Sequence, residues 1–159
     1  MDKGNNLYAA YGFYLNHAEM ADRCPTAQSI GIGELKDYRL IFRGPNAEAL
    51  ATVEPRKGEA VPVLVWEITP ADEAALDARA GFPTLYRKET IKVKLDGRTV
   101  SAMVYVMNNG DGTRPPAQPG AYYFASIYNG YKESLLDTAI LYKALKEPIE
   151  PEPAPEPQP

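Results

Sequence analysis

The sequence contains little of what disulfides, metal centres and histidine-based catalysis require. Of its 159 residues, one is cysteine and one is histidine. Cys24, being alone, excludes an internal disulfide bond and suits a reducing compartment. His17 has no second histidine and no carboxylate cluster at ligand spacing, and no serine lies in a Gly-x-Ser-x-Gly elbow. We therefore expect no metal site and no cofactor.

Long apolar runs and an excess of basic charge are also missing. No apolar segment approaches the ~18 residues of a membrane-spanning helix, and no signal-peptide pattern is present. The formal net charge is −4, but residues 147–159 carry four glutamates and no basic residue, so the remainder holds 17 acidic and 17 basic side chains. This balance gives no electrostatic basis for binding nucleic acid or an anionic membrane. We expect a cytoplasmic protein whose partner is a small molecule.

The apolar pattern predicts one α+β domain over residues 1–146 and a disordered Pro/Glu-rich tail over 147–159. About six strands and three or four helices indicate a small, curved, partly closed mixed β-barrel with helices outside. Gly31 and Gly33 indicate a bulge or tight curvature in the second strand. The predicted strands are 7–11, 27–43, 49–54, 60–69, 85–95 and 98–107. The predicted helices are 16–23, 70–79 and 122–136, with 135–146 either continuing the last one or forming another.

Three local signals predict where elements begin and turn. Asn16 followed by Glu19 has the form of a capping box at a helix start. Thr69-Pro70 with Asp72 predicts a second helix start, and Gly81 its end. Asp96-Gly97 predicts a tight hairpin. The Gly/Pro/Asn-rich loop over 108–119 is predicted to be either a functional lid or simply mobile.

The first predicted strand passes through Gly12 into the first helix. Such a junction leaves backbone N–H groups aimed at one spot, which favours an anion. The alternative is that Gly12 only makes a turn.

Three segments carry motifs in a fixed order. Residues 11–15 read Tyr-Gly-Phe-Tyr-Leu, residues 23–27 read Arg-Cys-Pro-Thr-Ala, and residues 76–88 contain Leu-Asp-Ala-Arg-Ala-Gly-Phe-Pro followed by Leu-Tyr-Arg-Lys. This set resembles the γ-glutamylcyclotransferase-like family, with its Tyr-Gly-Ser-Asn-Leu signature. The resemblance implies a similar barrel and an enzyme that releases 5-oxoproline. It also implies a glutamate, just before the glycine of the third motif, as the acid/base.

The chain departs from that pattern where the chemistry is expected. Ala80 stands at the position of the catalytic glutamate, and alanine cannot transfer a proton. Asp77, one helical turn earlier, is a weak substitute, because a base displaced by that much loses most of its effect. We therefore predict no catalytic residue. Backbone donors and aromatic walls still predict a ligand site formed by Tyr11, Gly12, Phe13, Tyr14, Leu15 and Tyr86.

Three functions agree with these observations. The first is a cyclotransferase-like protein that binds, and so sequesters, a small amino-acid-containing metabolite or signalling molecule without turnover. The second is an active γ-glutamylcyclotransferase or γ-glutamylamine cyclotransferase, which uses another base or carries glutamate at position 80 in its natural sequence. The third is a protein-interaction module built from the aromatic loop and the tail. Tyr122, Tyr123 and Tyr128, at helical spacing, are interpreted as core residues.

Overall fold

A closed barrel of five strands forms the centre of the computed structural model, which describes residues 4–109 and 112–149. The strand order is β1-β3-β2-β4-β5, and a parallel contact between Tyr8 and Met103 closes the barrel. All other neighbouring strands are antiparallel. The strands are β1 (Asn6–Ala10), β2 (Gln28–Arg43), β3 (Leu50–Ile68), β4 (Tyr86–Leu95) and β5 (Arg98–Met107).

Four α-helices and one 3-10 turn flank the barrel, which confirms the predicted α+β barrel class. The helices are α1 (His17–Arg23), α2 (Pro70–Ala80), α3 (Ala121–Glu133) and α4 (Ala139–Ile149), and the 3-10 turn spans Phe13–Leu15. The last two helices are separate, which decides the alternative that the sequence left open. Helix α4 ends at Ile149, three residues past the predicted domain end at residue 146, and the domain boundary itself stays a prediction. The rest of the predicted disordered tail, residues 150–159, lies outside the described residues.

The barrel has five strands rather than about six because two predicted strands are one. Strand β3 runs through Pro55 and Gly58, which lie between the two predicted strands 49–54 and 60–69. Its pairing with β2 shifts register between Lys36 and Tyr38, opposite this segment. Proline has no N–H to donate, and the shift accommodates it. The amide of Gly58 donates instead to the Asp37 carboxylate at 2.9 Å.

The predicted bulge in β2 is confirmed at its first glycine. The register with β3 shifts between Ser29 and Gly31. Two residues later Gly33 pairs with Leu95 of β4. A Cβ at Gly33 would lie 2.5 Å from Val93 Cγ1 and 2.7 Å from the Lys94 oxygen. Only glycine lets β2 and β4 approach so closely.

Helix α2 begins and ends as the sequence predicts. The Thr69 hydroxyl accepts from the Asp72 amide at 3.1 Å, and the Thr69 amide donates to the Asp72 carboxylate at 3.0 Å. Gly81 ends the helix in the left-handed conformation, with φ +62°. These local bonds fix where α2 ends, and therefore where Ala80 is placed.

Helix α1 has only half of the predicted capping box. The Asn16 side chain accepts from the Glu19 amide at 3.1 Å. The Glu19 carboxylate does not return to Asn16, because it accepts hydrogen bonds from the hydroxyls of Tyr122 and Ser126 in α3. A tertiary contact therefore replaces the local one.

Helix α3 packs closely on the segment that follows β1. At Gly130, an added Cβ would lie 2.7 Å from both the Asn16 nitrogen and the Leu15 carbonyl carbon. The Asn16 amide side chain also donates to the Ser126 oxygen at 3.0 Å. This close packing holds the Phe13–Leu15 turn against α3.

Two further findings concern the described residues only. Within residues 4–109 and 112–149, no helix is long and apolar enough to span a membrane. The same part of the chain contains no group of three or more His, Cys, Asp or Glu side chains arranged as metal ligands.

Candidate functional site

A cavity of about 300 Å³ lies where the end of β1, the 3-10 turn, the end of α2 and the start of α3 meet the barrel. Its walls are mostly aromatic, with six tyrosines. The lining residues are Tyr8, Tyr11, Gly12, Phe13, Tyr14, Leu50, Ala51, Leu76, Arg79, Ala80, Tyr86, Tyr105 and Tyr123.

The structure brings most of the predicted ligand-site residues together at this cavity. Five of the six line it: Tyr11, Gly12, Phe13, Tyr14 and Tyr86. Leu15 does not, because its side chain is fully buried and its amide donates to the Gly12 oxygen at 3.0 Å. That these residues bind a ligand stays a prediction.

Phe13 and Tyr14 form part of the wall and leave the cavity open. The Phe13 ring stacks on Tyr123, with centroids 5.5 Å apart and planes 6° apart. It also meets Tyr14 edge to face at 5.3 Å. The two large aromatics thus pack mainly against each other and α3, which fixes the rings at the mouth of the cavity.

The interpretation of the α3 tyrosines as core residues is only partly right. Tyr128 packs against the hydrophobic core. Tyr123 lines the cavity, and its hydroxyl oxygen accepts from the Ala51 amide at 3.0 Å. Tyr122 is 71% exposed, because it lies on the outer side of α3, where it bonds to Glu19.

Three of the cavity tyrosines donate their hydroxyl protons to protein acceptors. Tyr11 donates to the backbone carbonyl oxygen of Tyr105, Tyr86 to that of Ala51, and Tyr105 to Asp77 Oδ1, each at 2.6 Å. Tyr8 differs. Its side chain is 7% exposed, and its hydroxyl forms no hydrogen bond with any residue that the structure describes. An unpartnered hydroxyl in a buried wall is available to a ligand.

Burial raises the pKa of every tyrosine in the cavity. The pKa of Tyr123 rises to about 12, and those of the other five also lie above the ordinary value. For Tyr14, the positive charges of Arg23 and Arg79 partly oppose the effect of burial on the pKa. All six hydroxyls therefore remain protonated at neutral pH.

No side chain lining the cavity accepts a proton at neutral pH. Among the described residues, its walls contain no Asp, Glu, His, Lys or Cys. Arg79 is the charged lining residue, and arginine stays protonated in proteins. No salt bridge to Arg79 occurs within residues 4–109 and 112–149. The cavity is therefore neutral to positive and lacks a base.

Asp77, the weak substitute for a glutamate at position 80, accepts hydrogen bonds from other side chains and does not line the cavity. Its Oδ1 accepts from the Tyr105 hydroxyl at 2.6 Å, and its Oδ2 accepts from Lys88 Nζ at 3.0 Å. Lys88 also pairs with Glu73 at 2.7 Å. Ala80, one turn further along α2, presents only a methyl group to the cavity.

Four polar side chains of the site were not predicted to belong to it: Tyr8, Arg79, Tyr105 and Tyr123. Tyr8 and Tyr105 come from adjacent strands, and their rings meet edge to face at 5.7 Å. Tyrosines in otherwise aliphatic, buried strands were a usable signal, because a buried hydroxyl needs a partner or a cavity. Arg79 has a weaker signal, its position directly before Ala80 in the third motif.

The family model described as gamma-glutamyl cyclotransferase, AIG2-like, matches residues 8–124. This range covers most of the chain and includes every residue that lines the cavity. The chain belongs to the gamma-glutamyl cyclotransferase family.

Curated relatives share this family. The chain is 27% identical to the gamma-glutamylcyclotransferase of Homo sapiens over 159 residues, which covers 94% of this chain and 81% of the relative. It is 29% identical to that of Mus musculus over 154 residues, covering 91% and 79%.

A solved structure titled gamma-glutamyl cyclotransferase has the same fold. It superposes with a TM-score of 0.74 at 27% identity, covering 88% of this chain and 86% of that one. A crystal structure of an uncharacterized protein from Homo sapiens gives a TM-score of 0.75 at 26% identity, covering 98% and 94%.

Proposed function

We propose that this member of the gamma-glutamyl cyclotransferase family binds a small, amino-acid-containing molecule in its tyrosine-lined cavity without turning it over. A protein of this kind acts by sequestering its ligand. The observation that carries the proposal is the chemistry of the walls, in which no described side chain accepts a proton at neutral pH.

The resemblance of residues 76–83 to the family's third motif supports the loss of turnover. In that motif the residue before the glycine is the glutamate that relays the proton during cyclisation. Here it is Ala80, which lines the cavity with a methyl group. General acid–base catalysis contributes about 10²–10⁴-fold, so we expect a cavity without that glutamate to turn a substrate over more slowly by about that factor.

Asp77 does not supply the missing base in this proposal. A base must reach the proton that it abstracts. Asp77 instead holds the Tyr105 hydroxyl and the Lys88 ammonium, and it lies outside the cavity wall. Its carboxylate is part of the packing of α2 against the barrel.

The cavity itself supports retained binding. It is about 300 Å³ in volume, and Phe13 and Tyr14 border it without filling it. The second candidate, an active cyclotransferase, is favoured by the curated relatives of that name. The two candidates differ in one product, 5-oxoproline.

The test compares three proteins side by side: the unaltered chain, Ala80→Glu and Ala78→Glu. Each is incubated with γ-glutamyl amines and γ-glutamyl dipeptides, and 5-oxoproline is measured. Ala78 is exposed and lies about 200° around α2 from Ala80, so it controls for an added carboxylate outside the cavity.

We expect the unaltered chain and Ala78→Glu to release no 5-oxoproline above the background rate. Ala80→Glu should release it at least about 10²-fold faster than either. Calorimetric titration of the unaltered chain with a panel of small amino-acid derivatives tests binding separately. Release of 5-oxoproline by the unaltered chain at an enzymatic rate would favour the active cyclotransferase. Failure of every panel member to bind would overturn the binding function.

A further inference from the structure

Several hydrogen-bond donors of the cavity have no partner among the described residues. The Tyr8 hydroxyl has no partner among the described residues, and its side chain is 7% exposed. The Tyr123 oxygen accepts from the Ala51 amide, and its own proton has no described acceptor. Arg79 adds a guanidinium that forms no described salt bridge. The residue Arg79 is exposed, whereas Tyr8 is buried, and an unpaired donor that borders a cavity favours a ligand that supplies an acceptor.

The described walls of the cavity offer no carboxylate that could pair with a positive charge. No described lining residue carries a carboxylate, and Ala80 contributes a methyl group. An ammonium placed here would lose its water, lie near Arg79 and find no counter-charge. Burying an unpaired charge is unfavourable, so such a ligand is rejected unless it gives up its proton. A carboxylate placed here gains charge-assisted hydrogen bonds.

We propose that the cavity selects a carboxylate whose nitrogen carries no positive charge, that is, an N-acylated amino acid in place of a free one. This inference rests on the proposed function and names its ligand class. Arg79 and the Tyr8 and Tyr123 hydroxyls hold the carboxylate. The neutral acyl group lies against the aromatic walls.

The aromatic walls fit that neutral part. Tyr11, Tyr86 and Tyr105 donate their hydroxyl protons to protein acceptors, so they offer the ligand apolar ring surface, and Tyr86 and Tyr105 also keep an acceptor oxygen. An amide packs well on such faces, and its N–H donates to a phenolic oxygen. An acylated nitrogen therefore needs only this one acceptor, whereas an ammonium also needs a counter-charge, which the described walls do not supply.

The test uses three probes with one side chain and different groups on Cα: glutamine (ammonium and carboxylate), N-acetylglutamine (acetamide and carboxylate) and N-acetylglutamine amide (acetamide and carboxamide). Calorimetric titration measures the affinity of each for the unaltered chain. We expect N-acetylglutamine to bind at least about tenfold more tightly than either of the others, which is the value of one well-formed charged contact. Glutamine carries an unpaired ammonium, and the amide lacks the carboxylate.

Variants then assign the selection to individual residues. Arg79→Gln is expected to remove the preference for N-acetylglutamine over its amide. Arg98→Gln, an exposed arginine on the β4–β5 hairpin, makes the same change in net charge and should keep the preference. Tyr8→Phe should weaken N-acetylglutamine binding by about three- to tenfold, the effect of one hydrogen bond. Ala80→Glu should reverse the order and favour glutamine.

The outcomes separate this inference from the proposed function. Binding of glutamine in preference to N-acetylglutamine overturns the charge selection and leaves the binding function standing. Failure of all three probes to bind also overturns the charge selection, while the broader panel and the 5-oxoproline assay decide the proposed function. An unchanged preference in a folded Arg79→Gln protein overturns the role given to Arg79.

Discussion

Helix α2 carries two adjacent groups of side chains that meet different surroundings. On the tyrosine-lined side, Ala80 and Leu76 meet a cavity of protonated tyrosines without a carboxylate among its described walls. On the ion-paired side, Asp77, one turn before Ala80 and about 60° around the helix from it, shares the ammonium of Lys88 with Glu73. A carboxylate at position 77 is therefore neutralised by an ion pair, while position 80 contributes no carboxylate to the cavity.

Family membership establishes the fold here, while activity depends on individual residues of the site. The chain is about 27% identical to a named gamma-glutamylcyclotransferase and has the fold of a solved structure of that name. Packing residues maintain the fold, while a proton-transfer step depends on one side chain at one place. The proposed function therefore requires that binding and turnover be separable in this architecture. Three measurements test the contrast between the tyrosine-lined and the ion-paired side chains, and the first has the greatest predicted effect.

The tyrosine-lined side should lose its contribution to stability at alkaline pH. Burial raises the pKa of its tyrosines above the value of about 10 that holds in the unfolded chain, to about 12 for Tyr123. Their contribution is fully present below about pH 10 and is lost as the pH rises through the folded-state pKa. Each such tyrosine lowers the free energy of unfolding by about 1.4 kcal/mol for every pH unit between 10 and its folded-state pKa.

We therefore expect the free energy of unfolding in urea to fall steeply between about pH 10 and 12, with tyrosinate absorbance appearing as structure is lost. Far-ultraviolet circular dichroism reports the folded fraction in the same samples. Ionisation of the buried tyrosines in a protein that keeps its native dichroism would contradict this account.

The Tyr105 hydroxyl connects the two sides, since its ring lines the cavity and its proton goes to Asp77. Tyr105→Phe leaves that carboxylate oxygen without its donor and should lower the free energy of unfolding by about 1–3 kcal/mol. Tyr122→Phe is the matched control, because its hydroxyl also bonds to a carboxylate but its side chain is 71% exposed. That control should stay within about 0.5 kcal/mol. Equal losses in both variants would show that burial is not what gives the Tyr105 bond its value.

The ion-paired side should show the smallest effect. Lys88→Met keeps the apolar stem and removes the charge shared by Glu73 and Asp77, whose side chains are 20% and 27% exposed. We expect a loss of about 1 kcal/mol in urea unfolding. Lys92→Met, on the same strand with an exposed side chain bonded to Ser101, should lose less than about 0.5 kcal/mol.

The same variant sharpens the comparison of the two sides. Because Lys88 does not line the cavity, Lys88→Met should leave the affinity for N-acetylglutamine within about twofold of the unaltered chain. A tenfold change would mean that the ion pair and the cavity are coupled through α2.

Much of the fold was predictable because its signals are local. The Thr69 capping box, the left-handed Gly81, the turn at Asp96-Gly97 and the bulge at Gly31 each follow from residue types within a few positions. Where a long-range partner competes, the local signal fails. Glu19 leaves its cap for α3, and β3 passes through Pro55 because its pairing with β2 shifts register.

The class of barrel, the family motifs and the alanine at position 80 could all be read from the residues alone. That Tyr8, Tyr105 and Tyr123, far apart in the chain, meet around one cavity with Arg79 is visible only in the folded protein. The same holds for the pairing of Asp77 with Lys88 and Tyr105 outside that cavity. The physical reason is that barrel closure joins β1 to β5, and no local pattern encodes which side chains such a closure brings face to face.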